Sequence, residues 1–298
     1  MNWVGRIIGD RFRLMEVVGK GGYSTVYRAL ERGTDVEVAI KVPQEGSLPA
    51  DELESRIVRE HEVLAALRGT SALAVRELCR EEGLLCLVME LLRGQDFDDY
   101  LTDVEAQGGR IDVPTLLEFV GPVVDTLDVA HARGIVHRDV KPANIFVLGR
   151  GGPGGVRLLD FGLSSIESAV PITRDGVVIG SPSYIAPEVW RGHPRDLDYR
   201  VDVYSLGAVL FRALAGQVPF PVRSLREKLQ AATTAERPSL VALRPDLPRA
   251  VDDWVRKALA VDRQERFSTV RDMWDALLAV LNADPPGASA SGRVHAAG

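Results

Sequence analysis

Between Ile135 and Phe146 the chain reads IVHRDVKPANIF, setting His137, Arg138, Asp139, Lys141 and Asn144 between two apolar edges. A surface turn does not need such flanks, and a buried strand does not tolerate such charges. The segment therefore reads as a loop held at both ends so that its polar groups point at something. Asp139 can accept a proton or orient a hydroxyl, Lys141 can neutralise a migrating anionic group, and Asn144 can offer an oxygen to a hard cation. His137 reads as a packed, structural residue rather than a base.

Three further patterns carry chemistry. In GKGGYSTVY, Gly19, Gly21 and Gly22 sit between two strand-like runs, with Ser24 where a third glycine could stand. Glycines let backbone N–H groups approach phosphate oxygens closely, although a hairpin with a bulge would have the same pattern. In VAIK, Lys41 ends a strand of apolar neighbours. Pointing inward it needs a partner, for which Glu60 and Glu62 are candidates; snorkelling outward it needs none. In LLDFGL, Asp160 leaves a strand just before Gly162, whose freedom would let the carboxylate project. An isolated Asp-Phe-Gly would also fit a simple strand-ending turn.

Elements must hold these groups in place. FRLMEVVG, STVYRAL and VEVAIKV are strand-like, and ADELESRIVREHEVLAALRG turns helical, with Ile57, Leu64 and Leu67 near helical spacing. AVRELCR and LLCLVMEL form a further hairpin about Glu82-Gly83. The first ninety residues thus predict a mostly antiparallel sheet with one helix. Beyond RGQD the chain becomes helical. VPTLLEFVGPVVDTLDVAHARG contains Pro122, which should kink one helix or divide two. Two short strands, IFVLG and GVRLLD, flank the turn RGGPGG, and three later helices are read in YRVDVYSLGAVLFRALAG, AVDDWVRKALA and VRDMWDALLAVLN. The tail ADPPGASASGRVHAAG has the composition of a disordered segment.

Composition narrows the class. The 298 residues carry a net charge of -6, against a nucleic-acid binder with a broad basic face. Cys79 and Cys86 flank an acidic turn, where a cross-strand contact is conceivable; two thiols in this length suggest a reduced protein rather than a disulfide framework. No stretch has the length of a membrane helix and no leader pattern is read, so the expectation is a cytoplasmic chain, or the cytosolic part of a longer membrane-anchored protein.

GKGGYSTVY, VAIK, HRDVKPAN, DFG and APE stand in an order that resembles the eukaryotic-like serine/threonine protein kinases, bacterial branch. The resemblance implies an α+β, two-lobed fold: an extension over 1–11 and a kinase domain over 12–282, followed by the tail at 283–298. The domain would comprise a sheet-rich N-lobe to about 90, a hinge at about 90–93 and a helical C-lobe from about 94. It implies transfer of the γ-phosphoryl group of ATP to protein serine or threonine, with a nucleotide-binding scaffold lacking transfer as the alternative. Lys41 would hold the ATP phosphates and pair with Glu60, preferred over Glu62 for its interval to Leu67. Asp139 would be the catalytic base, with Lys141 beside it, and Asn144 and Asp160 the Mg²⁺ ligands, Mn²⁺ being a substitute. Gly19, Lys20, Gly21 and Gly22 would cover the phosphates. Val26 and Ala39 would sandwich adenine, Met89 would gate the pocket, Glu90 to Leu92 would bond the base, and Asp96 would meet the ribose. Leu64, His137 and Phe161 would form a hydrophobic spine.

For control, Arg138 would receive a phosphate on the loop between Asp160 and Glu188, with Thr173 the candidate acceptor and Asp175 supplying part of that charge permanently. Ser181 would bridge Asp139 and Lys141, Glu188 would pair with Arg266, and Asp202 would anchor the loop at Asp139. The implied partners are protein substrates and, for phosphorylation in trans, a second copy of the chain; no nucleic acid is expected.

Overall fold

The computed structural model describes residues 3–44, 46–149, 155–161, 182–190 and 197–283. The chain divides into two compact units, one drawn from 1–100 and 117–168, the other from 101–116 and 169–298.

The first unit is built on β1 (Ile7–Ile8), β2 (Phe12–Lys20), β3 (Ser24–Glu31), β4 (Glu37–Pro43), β5 (Val75–Glu81) and β6 (Leu84–Glu90), with α1 (Ala50–Ala66) between β4 and β5. The sheet order is β1-β2-β3-β4-β6-β5 and every pairing is antiparallel. Alternation along β4 decides its two faces. Val38, Ile40 and Val42 enter a core with Phe12, Leu14, Tyr27, Ala29 and Val88. Ala39 and Lys41 face the other way, opposite Met89 and Leu87 of β6 respectively, and Lys41 lies opposite Val26 of β3. Trp3 and Ile8 also enter the core, so residues before Phe12 complete the sheet. The β5–β6 hairpin turns at Glu82 and Gly83, both at positive φ (50° and 82°), as a two-residue turn matched to strand twist requires.

Helix α1 buries Leu53, Ile57 and Leu64 and packs on β5 and β6. After β7 (Gly94–Asp96) come α2 (Phe97–Ala106), α3 (Val113–Ala132), β8 (Ile145–Leu148) and β9 (Val156–Leu158), the three strands forming a small antiparallel sheet in the order β7-β8-β9. Pro122 stands inside one continuous helix rather than dividing two. Of the turn expected at 150–155, residues 150–154 lie outside the described residues. At Gly94 φ is 150° and an added Cβ would run into the Val147 carbonyl, so only glycine lets β7 approach β8.

The second unit is helical: α4 (Pro187–Trp190), α5 (Arg200–Ala215), α6 (Leu225–Thr234), α7 (Leu240–Leu243), α8 (Val251–Ala258) and α9 (Val270–Leu281). From Val201 to Ala215 every residue of α5 is buried, as a helix at the centre of its unit must be; α7, α8 and α9 pack on it. Arg212 lies in that run. Its guanidinium donates to Glu105 Oε1 at 2.9 Å and to the Tyr184 hydroxyl at 3.0 Å, which makes the buried charge tolerable. Among the described residues no helix is long and apolar enough to cross a membrane.

Candidate active site

Lys41 projects from the β4 face turned away from the core. Its ammonium donates to both carboxylate oxygens of Glu60, at 2.7 and 2.9 Å, and lies 3.4 Å from Asp160 Oδ1. Glu62, the other candidate, is exposed. Burial works against the Lys41 charge, but Asp160 and Glu60 outweigh it and hold the ammonium above the ordinary lysine range. Burial pushes the Glu60 carboxyl up, Lys41 opposes that rise and Asp160 adds to it. One ammonium thus lies between two carboxylates, a local excess of negative charge that suits an added cation. Asp160 is the carboxylate able to meet one: its side chain is 61% exposed, against 12% for Glu60. Its backbone has φ of 44°, a conformation that costs a non-glycine residue energy and that aims the side chain off the strand.

The loop around Asp139 is fixed from both sides. His137 is wholly buried; its Nδ1 accepts from the Asp139 N–H at 3.3 Å, so the proton sits on Nε2, which donates to the Leu159 carbonyl at 2.9 Å. Its ring lies 4.6 Å from that of Phe161, and Leu64 is 2% exposed. The Leu159 N–H donates to the Asn144 carbonyl at 2.8 Å, tying the loop to the strand that delivers Asp160. Arg138, at φ of 66°, takes the left-handed conformation next to Asp139.

Within the loop, Lys141 Nζ donates to Asp139 Oδ2 at 2.6 Å, and Asn144 Nδ2 donates to the same oxygen at 3.0 Å and to the Asp139 carbonyl at 2.8 Å. Two donors on Oδ2 orient the carboxylate and leave Oδ1 for an incoming hydroxyl. Asn144 spends its amide N–H groups on Asp139, which leaves its oxygen for a cation. Among the described residues no three His, Cys, Asp or Glu side chains cluster as metal ligands. An amide oxygen and a carboxylate suit a hard divalent ion completed by water and phosphate oxygens rather than a closed protein cage.

Gly21, Gly22, Lys41, Glu60, Asp139 and Asp160 line one cavity of about 210 Å³. The Gly21 N–H donates to the Ser24 carbonyl at 2.8 Å and closes the turn between β2 and β3. An added Cβ at Gly19 or Gly21 would meet nothing nearer than 3.6 Å, and at Gly22 nothing within 4 Å; none of the three has positive φ. The fold itself does not require glycine here. Lys20 is exposed at the end of β2.

On the same face as Lys41 lie Val26, Ala39 (5% exposed) and Met89 (6% exposed). The Glu90 side chain is pinned: Oε1 accepts from the Ala74 N–H at 2.7 Å and from Arg157 Nε at 2.8 Å. Leu92 is half-buried. Asp96 Oδ1 accepts from the Asp99 N–H at 2.9 Å and caps α2, a role not read from the sequence.

In the second unit Arg266 donates to both oxygens of Glu188 at 2.7 Å, and Asp202 is wholly buried in α5. Gly162, Thr173, Asp175 and Ser181 lie outside the described residues. The Arg157 pin and the Arg212–Glu105 pair were missed from the sequence. An arginine set among the apolar residues of the last turns of α5 was the available signal for the second.

The protein kinase domain model matches residues 12–277. The serine/threonine-protein kinase PrkC of Bacillus subtilis is 31% identical over 281 residues, 94% of this chain and 42% of that protein. PkaB of Streptomyces coelicolor is 39% identical over 220 residues, 72% of this chain and 51% of that one. The chain thus spans about half, or less, of the length of these relatives. The crystal structure of the Mycobacterium tuberculosis PknI kinase domain superposes with a TM-score of 0.69 at 29% identity, covering 94% of this chain and 99% of that one. The chain belongs to the protein kinase family, in its bacterial serine/threonine branch.

Proposed function

We propose that the chain transfers the γ-phosphoryl group of ATP to serine and threonine hydroxyls of proteins, its own included. The observation that carries this reading is the convergence of Lys41, Glu60, Asp139 and Asp160 on one cavity beside a glycine turn. Phosphoryl transfer asks for positioning and charge neutralisation more than covalent help. Lys41, held charged by Glu60, meets the α- and β-phosphates. The turn at Gly19–Gly22, with Lys20, covers the phosphates from above. Val26, Ala39 and Met89 offer the adenine an apolar slot; the Glu90 carbonyl and Leu92 backbone bond its edge, and the second Asp96 oxygen can meet the ribose.

Asn144 and Asp160 would hold Mg²⁺, which when bound neutralises phosphate charge. Asp139 orients the acceptor hydroxyl through Oδ1 and takes its proton, and Lys141 faces the transferring group. By the family resemblance, Arg138 would receive charge from a phosphorylated Thr173, and Ser181 would bridge Asp139 and Lys141. The domain is taken as 12–282. A second copy of the chain serves as the partner for phosphorylation in trans.

Incubation with ATP and Mg²⁺ followed by mass mapping tests this. Phosphate on seryl or threonyl residues, Thr173 among them, is the expected result. Nucleotide binding with no phosphate on any protein would leave a scaffold instead.

A further inference from the structure

The chain has two cysteines, and the fold sets them face to face: Cys79 of β5 lies directly opposite Cys86 of β6, two pairs from the Glu82-Gly83 turn. Directly opposed residues of an antiparallel ladder have Cα atoms about 4.5–5.5 Å apart, inside the range a disulfide spans. Their side chains leave the same face of the sheet, and both thiols are free. Bonding the sulfurs therefore needs little movement of the backbone. We propose that Cys79 and Cys86 form a thiol–disulfide site that hydrogen peroxide oxidises and a dithiol restores.

Accessibility divides the roles. Cys86 is fully buried in the core of the sheet, whereas Cys79 is partly exposed beside the Gly9 turn, whose N–H is held by Glu81. The hydrogen bond from Cys86 lowers the Cys79 thiol, with Arg11 contributing, against burial and the Glu77 and Glu81 carboxylates. The same bond, followed by burial, pushes Cys86 up. Cys79 is the attacking thiolate.

Its sulfur attacks one peroxide oxygen; an S–O bond forms, the O–O bond breaks and hydroxide leaves, taking up the Cys79 proton as water. Cys86 sulfur then attacks the resulting sulfenic acid. An S–S bond forms, the S–O bond breaks, and the departing hydroxide leaves as a second water with the Cys86 proton. Two electrons pass from the sulfurs to the peroxide. The bond lies on the core side of β6, whereas Leu87 beside Cys86 faces Lys41, so the staple tightens the sheet from behind the candidate active site.

The test uses the whole chain treated with hydrogen peroxide, then alkylated, digested and mapped. A linked Cys79–Cys86 pair within one chain, lighter by two hydrogen atoms and reversed by dithiothreitol, is expected. The oxidised chain should melt about 4 °C higher, from the closure of so short a loop. In Cys86→Ala, dimedone should trap a sulfenic acid at Cys79; in Cys79→Ala, Cys86 should stay unreactive while the chain is folded. Both thiols still alkylated after peroxide, a bond joining two chains, or no dimedone adduct in Cys86→Ala would overturn the proposal. None of these readouts depends on phosphoryl transfer.

Discussion

Replacing Arg266 by alanine strands the Glu188 carboxylate. The Arg266 side chain is 0% exposed and that of Glu188 14%, so neither charge has water to fall back on. The guanidinium also donates to the Ala260 carbonyl at 2.8 Å and the Arg200 carbonyl at 3.0 Å, and lies 5.0 Å above the Tyr204 ring. Removing one member of a buried pair costs about 3–5 kcal/mol, mostly for the charge left behind. In a unit of this size that is a fall in Tm of roughly 10 °C. Arg266→Met with Glu188→Leu removes both charges and fills the space, and should recover most of the loss. Urea denaturation of wild type, single and double variants measures all three. An Arg266→Ala loss below about 1 kcal/mol would refute the reasoning, because that is the worth of an exposed pair. A double variant as unstable as the single one would assign the loss to the backbone carbonyls of Ala260, Arg200 and Val261 instead.

Two further outcomes follow from the same geometry. Burial raises the Tyr204 phenol from its ordinary 10.0 to about 12, against the pull of Arg237 and Arg266. The unfolded chain ionises first, so this stabilisation is whole below pH 10 and is lost as the pH climbs through 12. Wild type should lose about 2–3 kcal/mol more than Tyr204→Phe across that window, and parallel pH–stability curves would contradict this. Gly94→Ala drives a Cβ into the Val147 carbonyl at a φ of 150°, and should cost at least about 2 kcal/mol in chemical denaturation; a neutral substitution would show that β7 can move off β8.

Local patterns made much of this legible. Alternation in VEVAIKV found the strand that carries Lys41, though not the face it takes, and the helical spacing of Ile57 and Leu64 found α1. What escaped was short or long-range. Strand β1 has two residues and β7 three, too few for any period to show. Trp3 enters the core from a segment that the family resemblance implied to be an extension. Asp96 could be matched to a motif, yet its capping of α2 needed the helix start to be known. Helix α6 carries a local start signal, Ser224 with Glu227 in a reciprocal cap, but few apolar residues to show a period. Arg157 on Glu90 joins residues 67 apart, and nothing local predicts such a pairing.

The most direct measurement is phosphate transfer from labelled ATP, with Mg²⁺, to a generic protein substrate by wild type and Asp139→Asn, with nucleotide affinity measured in parallel. Asparagine keeps the shape and the contact to Lys141 but cannot take a proton from the acceptor hydroxyl. The expected result is a loss of at least ~10²-fold in rate with nucleotide affinity little changed. Equal rates in the two proteins, or a wild type that moves no phosphate to serine or threonine, would contradict it.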